Sequence, residues 1–350
     1  MLWTRIPACV TIPHMAQTLP IHSPIVPGSG KALLTVDDLA VAFATDAGDA
    51  LAVDGVSFEL GRGETLCLVG ESGCGKSATA MSVLRLIPSP PGRIAGGTVV
   101  FDGLDLTRLP EKALQSIRGD RIGMVFQEPM TALNPVFRIG DQIAEPLRMH
   151  RNMPKAEAYD RAAALLDEVG IPNAVSRLRD FPHQMSGGMR QRAMIAMAVA
   201  CQPELVIADE PTTALDVTVQ SQVLRLLTRL TRDKGNSLLL ITHDLGVVYE
   251  TADRVAVMYS GKIVEQGRVA EVFADPRHPY TRGLMLSRPR LDPAGRHERL
   301  PSIRGVVPSP LNRPQGCAFR DRCDLAFDKC SQPPPFTAFA SDRFCRCWLA

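Results

Sequence analysis

The chain has 350 residues, enough for one large or two modest domains with a buried core. Hydrophobic residues make up 45% and charged residues 22% of it, as in an ordinary globular protein. A net charge of +2 gives no reason to expect nucleic acid as a partner, and no apolar run reaches the roughly 18 residues that span a bilayer.

Residues 1–30 are rich in proline and serine and show no periodic pattern. Prolines at 7, 13 and 20 interrupt any apolar segment of the kind that a secretory signal needs. We expect a disordered leader here, with Met15 as an alternative start. Without a signal sequence the expected compartment is reducing, so the five cysteines of the last 34 residues indicate metal ligands rather than disulfides.

From residue 33 onward, short apolar runs alternate with amphipathic stretches, the pattern of an α/β fold. The predicted strands are 65–69, 98–101, 122–126, 205–208 and 238–242, followed by a hairpin of 255–258 and 262–264. Between about 130 and 190 the strand pattern disappears, and helical spacing at 155–169 ends at Gly170, a typical C-cap. Prolines break the pattern after about 286. We therefore predict a main domain at 31–285, with a helical insertion at about 130–190, and an extension at 286–350.

A glycine-rich string, GESGCGKS, follows the predicted strand 65–69 and opens a helix. It satisfies the phosphate-loop pattern G-x-x-x-x-G-K-[ST], whose glycines let backbone N–H groups turn towards an anion at a helix N-terminus. Lys76 supplies a charge to the β- and γ-phosphates, and the Ser77 hydroxyl is placed to ligate Mg²⁺. A chance glycine turn is the alternative, which the flanking strand and helix disfavour. The predicted ATP-binding residues of this loop are Gly70, Glu71, Ser72, Gly73, Cys74, Gly75, Lys76 and Ser77.

Asp209 and Glu210 follow the apolar run 205–208, which suits a strand buried on both faces of a parallel sheet. Ligands bind at the carboxyl ends of such strands. Asp209 is predicted to hold Mg²⁺ directly or through water, and Glu210 to polarise the attacking water as general base. A solvated strand end is the alternative, and the phosphate loop favours the catalytic interpretation.

Cys74 lies inside the loop, where a helix N-terminus and Lys76 would both stabilise a thiolate. We hypothesise that alkylation of Cys74 blocks ATP binding and that bound Mg-ATP protects it. Cys67, in the preceding strand, is expected to be buried and inert. The alternative is that Cys74 is also shielded and serves as a small filler.

Further segments complete an ordered set: Gln127 in VFQEP, MSGGMRQR at 185–192, Asp216 in TALD, and His243 after the strand 238–242. Over about 33–282 the chain resembles the ATPase subunit of an ATP-binding cassette (ABC) transporter. The resemblance implies an α/β P-loop NTPase fold. It consists of a RecA-like mixed sheet with an antiparallel β edge and an inserted helical subdomain, extended here by a cysteine-containing C-terminal region.

The resemblance also implies roles for these residues. Gln127 would contact Mg²⁺ and the attacking water, and His243 would hold the γ-phosphate in the transition state. Asp216 would bridge a dimer. Phe43 aligns with the adenine-stacking aromatic of the family, although a core aromatic on a strand is the alternative.

The segment MSGGMRQR at 185–192, which matches the signature segment of the family, would act on the site of another subunit. Ser186, Gly187 and Gly188 would bind the γ-phosphate of ATP held by the opposite subunit, so that one cassette cannot complete its own site. Met189 stands where the family commonly has Gln. The anion contacts come from Ser186 and the backbone, and we expect activity to survive this change.

Four segments resemble the dipeptide and oligopeptide importer ATPases: EPMTALNPVFRIGDQI at 128–143, FPHQMSGGMRQR at 181–192, HPYTRGL at 278–284, and IRGVVPSPLNRPQGCAFRDRC at 303–323. This resemblance implies a second ABC ATPase subunit (the same chain or a related one), two transmembrane permease subunits, a periplasmic or extracellular solute-binding protein, and no nucleic acid. The location would be peripheral, on the cytoplasmic face of the inner membrane. Nickel, glutathione or another small solute are alternative cargoes. A soluble cassette ATPase acting on DNA or ribosomes, or an exporter, are the alternative functions.

The subgroup also resembles this chain in its C-terminal cysteines, and four thiolates could hold a [4Fe–4S] cluster. The candidate ligands are Cys317, Cys323, Cys330 and Cys347, with Cys345 as the alternative fourth ligand. The spacing has no C-x-x-C pair, which makes zinc less natural. Reduced thiols that only fill space are the alternative.

Overall fold

The computed structural model describes residues 32–212, 217–287, 302–340 and 342–350. The predicted leader at 1–30 and the dimer-bridging candidate Asp216 lie outside the described residues. Within the described part of the chain, no helix is long and apolar enough to cross a membrane.

Twelve strands and eleven α-helices are formed by the described residues. The strands are β1 (Ala32–Thr45), β2 (Gly48–Gly61), β3 (Thr65–Val69), β4 (Gly92–Phe101), β5 (Leu104–Asp105), β6 (Ile122–Val125), β7 (Leu205–Asp209), β8 (Ser237–Thr242), β9 (Arg254–Tyr259), β10 (Lys262–Arg268), β11 (Thr337–Ala340) and β12 (Arg343–Cys345). The helices are α1 (Lys76–Val83), α2 (Glu111–Gln115), α3 (Pro129–Ala132), α4 (Ile139–Arg151), α5 (Lys155–Glu168), α6 (Ala174–Arg177), α7 (Gly187–Ala198), α8 (Val217–Arg232), α9 (Leu245–Thr251), α10 (Val269–Ala274) and α11 (Pro279–Leu286).

The strands form two sheets. The first is antiparallel, in the order β2-β1-β4-β5. The second has the order β11-β12-β10-β9-β3-β8-β7-β6, in which β9, β3, β8, β7 and β6 run parallel and β10, β12 and β11 add an antiparallel end. The predicted mixed sheet with an antiparallel component is confirmed.

The central parallel strands separate two hydrophobic cores. In β8, Leu238 and Leu240 pack into one core, while Leu239 and Ile241 pack into the other. β3 and β7 alternate in the same way. Side chains of a strand point alternately to the two faces of its sheet, so a strand covered on both faces has an unbroken apolar sequence. This is why the sequence predicted these strands to within about a residue.

The residues between β6 and β7 form helices α3 to α7 and contain no strand, as predicted for the helical insertion. α5 ends within two residues of the predicted C-cap, where Gly170 has a φ of 75°. Only glycine adopts this left-handed conformation without steric cost. The domain boundaries themselves stay predictions.

Three aromatic rings attach the C-terminal extension to the main domain. Tyr259 of β9, Tyr280 of α11 and Phe319 of the extension pack together, with ring centroids 4.7 to 5.4 Å apart. Further along, β12 pairs with β10, where Gln266 lies opposite Phe344. The extension is therefore joined to the large sheet both by side chains and by a backbone ladder.

Candidate nucleotide site

Four segments with predicted functional residues lie at one end of the large sheet. β3, β8, β7 and β6 are parallel neighbours, so their carboxyl ends reach the same edge. The phosphate loop follows β3, His243 follows β8, Asp209 ends β7, and Gln127 comes two residues after β6. Such an edge is where ligands bind in parallel sheets.

The phosphate loop depends on its glycines. Gly75 is the N-cap of α1 with a φ of 107°, and a Cβ there would lie 2.5 Å from the Ala52 carbonyl oxygen. At Gly70, a Cβ would lie 2.2 Å from the Met258 carbonyl oxygen. A side chain at either position would clash with fixed backbone, because real Cβ atoms do not approach this closely. The loop can therefore fold closely over β9 and β2 only with glycine at these two positions.

Lys76 is almost fully buried beneath the loop. Its Nζ donates to the carbonyl oxygens of Gly70 at 2.8 Å and Glu71 at 3.0 Å, and it lies 3.7 Å from Oε1 of Glu210. The positive charge is thus placed within the ring of the loop, at the N-terminus of α1. Both features favour an anion at this point.

Ser77 and Asp209 form a pair of oxygen ligands. The Ser77 hydroxyl donates to Oδ1 of Asp209 at 3.0 Å. Burial raises the pKa of the Asp209 carboxyl, the hydrogen bond from Ser77 partly opposes the shift, and neighbouring Glu210 adds to it. A bound cation would stabilise the charged form of this carboxylate, and hard oxygen ligands are those that Mg²⁺ prefers. The two residues therefore fit a magnesium site.

The Glu210 carboxylate is contacted by three polar side chains. Besides Lys76, Nδ1 of His243 lies 3.4 Å and Nε2 of Gln127 lies 3.4 Å from its Oε2 atom. Its backbone has a φ of 42°, and its N–H donates to the Ile241 carbonyl at 3.0 Å. Non-glycine residues in this left-handed region are rare and cluster at functional sites. Glu210, His243 and Gln127, the three residues predicted to act in catalysis, are thus brought together.

Among the described residues, Ser186 and Gly187 of the signature segment have no hydrogen bond with Glu210, Lys76 or Asp209. Ser186 and Gly187 are exposed at the start of α7, and the Ser186 hydroxyl accepts a hydrogen bond from the Met189 N–H at 3.3 Å. Ser186 is thus the N-cap of its own helix. Phe43 is half-buried on β1 and packs against the second core, next to Gly92.

The hypothesis of a reactive Cys74 is contradicted by the structure. Cys74 is fully buried, and burial raises the pKa of its thiol despite the Lys76 ammonium 3.9 Å away. Desolvation disfavours the thiolate more than the nearby charge favours it. The alternative of a small filler is the one that the structure supports. Cys67 is buried as predicted.

Comparison with known proteins places these features in a family. An ABC transporter model matches residues 53–213, and a model of the oligopeptide/dipeptide transporter C-terminal region matches residues 264–330. The oligopeptide transport ATP-binding protein OppD of Bacillus subtilis is 51% identical over 318 residues, which cover 91% of this chain and 88% of that protein. OppD of Salmonella typhimurium is 48% identical over 322 residues, covering 92% and 95%.

The chain belongs to the ATP-binding proteins of ABC transporters. A solved structure of the cassette MJ0796, dimeric and bound to ADP and phosphate, is similar in fold, with a TM-score of 0.61 and 26% identity over 67% of this chain and 98% of that one. The resemblance inferred from the motifs is confirmed, and this ABC protein is an ATPase.

The C-terminal region of this ABC protein brings four cysteines to one small enclosed cavity. Its lining includes Cys317, Cys323, Cys330 and Cys347, together with His278. Burial raises the pKa of the Cys317 thiol to about 11, and the three other thiols add to the shift. Cys345 is instead buried on β12, beside Glu265. The four cysteines of the predicted set line this cavity, and Cys345 does not.

The arrangement and the volume of this cavity show whether a metal centre would fit there. Among the described residues, no three His, Cys, Asp or Glu side chains have the arrangement that would hold a metal ion. The cavity measures about 10 Å³, which is room for roughly one water. Four thiols line this cavity, but as they are arranged here they do not fit a metal ion or a [4Fe–4S] cluster.

Sequence reasoning missed two residues that touch the phosphate loop. The Tyr280 hydroxyl accepts a hydrogen bond from the Glu71 N–H, and the Arg322 guanidinium pairs with the Glu71 carboxylate. Both lie in segments that had been singled out, HPYTRGL and the run ending in RDRC. Those segments resemble a family, but their sequence does not indicate which residues of the phosphate loop they contact.

Proposed function

We propose that this ABC ATPase couples ATP binding and hydrolysis to the import of dipeptides and oligopeptides across the cytoplasmic membrane. The carrying observation is that the chain combines the cassette with the oligopeptide/dipeptide transporter C-terminal region, and that proteins about 50% identical along nearly its full length are named for oligopeptide transport. Its partners would be two permease subunits and a solute-binding protein, with the chain peripheral on the cytoplasmic face of the membrane.

The phosphate loop, residues 70–77, would hold ATP through its backbone N–H groups and Lys76. Ser77 and Asp209 would bind Mg²⁺, with Gln127 contributing from the neighbouring strand end. This assignment is supported by the hydrogen bond between Ser77 and Asp209 and by the convergence of strands β3, β7 and β6. Phe43 would stack on the adenine from the antiparallel sheet.

Glu210 would act as the general base, by accepting a proton from the water that attacks the γ-phosphate. Lys76 and His243 lie on either side of its carboxylate, so each would be released towards the phosphate when ATP fills the loop. Gln127 would position the attacking water. This role is supported by the shared contacts of these groups with one carboxylate.

A second ATPase subunit, the same chain or a related one, would complete each site. The exposed start of α7 supports this, because Ser186 and Gly187 lie at a helix N-terminus, where the first backbone N–H groups have no partner within the helix. Asp216 would bridge the two subunits. ATP would close the dimer, and hydrolysis would open it.

The four converging thiols would hold a [4Fe–4S] cluster in the C-terminal region. Supporting this are the shared cavity and the separate location of Cys345. Such a cluster would add covalent cross-links to a segment with little regular structure.

The experiment is reconstitution of the complete transporter in proteoliposomes, followed by uptake of labelled solutes driven by internal ATP. Uptake of a dipeptide or oligopeptide, dependent on the solute-binding protein, is expected. Uptake of nickel or glutathione in place of peptide would reassign the cargo and keep the machinery. ATPase activity without any association with membrane subunits would instead favour a soluble, non-transport cassette.

A further inference from the structure

Glu71, the second residue of the phosphate loop, is held from outside the loop by two residues of the C-terminal part of the chain. Nη1 and Nη2 of Arg322 donate to the two carboxylate oxygens of Glu71 at 2.7 and 2.9 Å. The Glu71 N–H donates to the Tyr280 hydroxyl at 2.8 Å. Its carbonyl oxygen, in turn, accepts from Lys76. Every polar group of Glu71 therefore has a fixed partner.

A carboxylate in this position creates an electrostatic problem. The loop binds phosphates, and an unpaired negative charge on Glu71 would repel them. The side chain is 31% exposed, so water screens its charge only in part. The bidentate pair neutralises this charge and keeps the carboxylate directed towards the extension.

Arg322 is itself rigidly positioned. Its side chain is only 6% exposed, and its Nε donates to the Arg304 carbonyl oxygen at 2.7 Å. The guanidinium lies 5.7 Å from the ring centroid of Tyr259 and 5.9 Å from that of Phe319. The planar guanidinium packs on these rings and holds its donors in a fixed fork, so less entropy is lost when it pairs with Glu71. A lysine side chain cannot reproduce this geometry.

We propose that Arg322 is a positioning residue for nucleotide binding, which acts by neutralising and orienting Glu71, and that Tyr280 supports it by fixing the loop backbone. The C-terminal extension thereby sets the affinity of the site for ATP. This inference rests on the proposed role of residues 70–77 in binding ATP.

The test uses the full-length chain and a fluorescent ATP analogue, with KM and kcat measured in parallel. Arg322→Gln is expected to weaken ATP binding about tenfold, the effect of losing one charge-assisted bidentate pair, while kcat changes little. Adding Glu71→Gln to that variant removes the repelling charge and should restore most of the affinity. The loss in the single variant should shrink at high ionic strength.

The controls separate electrostatics from folding. Arg304→Ala removes an exposed arginine of the same extension that pairs with Asp324, and should leave ATP affinity unchanged. Glu71→Gln alone should bind ATP at least as tightly as the wild type, and Arg322→Lys should fall between wild type and Arg322→Gln. These two variants test the idea even if Arg322→Gln fails to fold.

Two results would overturn the proposal: unchanged affinity in folded Arg322→Gln, or weak binding that Glu71→Gln does not rescue. Weaker binding in Glu71→Gln alone would overturn it as well. If the wild-type chain failed to bind ATP at all, the proposed function would fail instead, so the two failures are distinguishable.

Discussion

Nδ1 of His243 lies 3.4 Å from Oε2 of Glu210, a contact that links the ends of two neighbouring strands of the large sheet. The hydrogen bond to Glu210 raises the pKa of His243 above its ordinary value. The pair thus joins the residue after β8 to the residue after β7, where the γ-phosphate is proposed to lie. Two of the following predictions test this pair.

Glu210→Gln should reduce steady-state ATP hydrolysis by about 100-fold or more, because the amide cannot accept the proton of the attacking water. ATP binding should persist, since the phosphate loop is untouched, and the variant should accumulate as an ATP-bound dimer. Phosphate release and size-exclusion chromatography with ATP measure the two effects. Glu250→Gln, on an exposed position of α9, is the matched control. Wild-type turnover in the Glu210 variant would refute its assignment as the base.

Replacing Glu210 with Gln should also lower the pKa of His243 towards the ordinary value of about 6.5. In the wild type the folded-state pKa lies above the unfolded one. The stabilisation by the pair is therefore complete below about pH 6.5 and is lost as the pH rises through the raised pKa. NMR titration of labelled histidines in the wild type and in Glu210→Gln measures the midpoint of His243. An unchanged midpoint for His243 would mean that Glu210 does not cause the shift.

Anaerobic purification should give a brown protein with about four irons per chain if the four thiols hold one [4Fe–4S] cluster. Cys347→Ser should lose this iron and colour because it removes a residue that lines the cavity. Cys345→Ser is the matched control, one residue removed from Cys347 in the chain, and should keep the iron. Protein without iron or zinc, even with all cysteines intact, would favour thiols that only fill space.

Cys74 should resist alkylation in the folded protein, both with and without Mg-ATP, because it is fully buried with a raised thiol pKa. Cys67 should behave in the same way and serves as the reference. Iodoacetamide labelling read by mass spectrometry gives the extent for each cysteine, and unfolding in guanidinium should expose both. If Cys74 were labelled rapidly and Mg-ATP prevented the labelling, Cys74 would be a reactive thiol in the nucleotide site.

Strands with continuous apolar sequences were predicted well, because burial on both faces leaves a clear pattern. The run at 205–208 became β7, extended by one residue to Asp209. The hairpin of β1 and β2 was not predicted. Its strands contain many Ala, Gly and Asp residues, which have low β propensity, and its stability comes from pairing along two 14-residue strands.

Some residues of the site could be predicted from the sequence and others could not, for the same physical reason. The phosphate loop, Asp209 and Glu210 could be predicted because local spacing places each at a strand end. The contact between Arg322 and Glu71 could not, because 251 residues separate them and an ion pair leaves no local pattern. The burial of Cys74 was equally hidden, since it depends on how closely β9 and β2 approach the loop.

The pairing of β12 with β10 covers one edge of the large sheet. Without the extension, β10 would end the sheet with unpaired backbone N–H and C=O groups, a template for pairing with other chains. The extension covers that edge: the Arg346 N–H donates to the Val264 carbonyl oxygen at 2.8 Å, next to the β12 ladder. The outermost strand is then β11, only four residues long, and short edge strands are poor templates for aggregation. A chain cut at residue 286 should therefore be prone to edge-to-edge association.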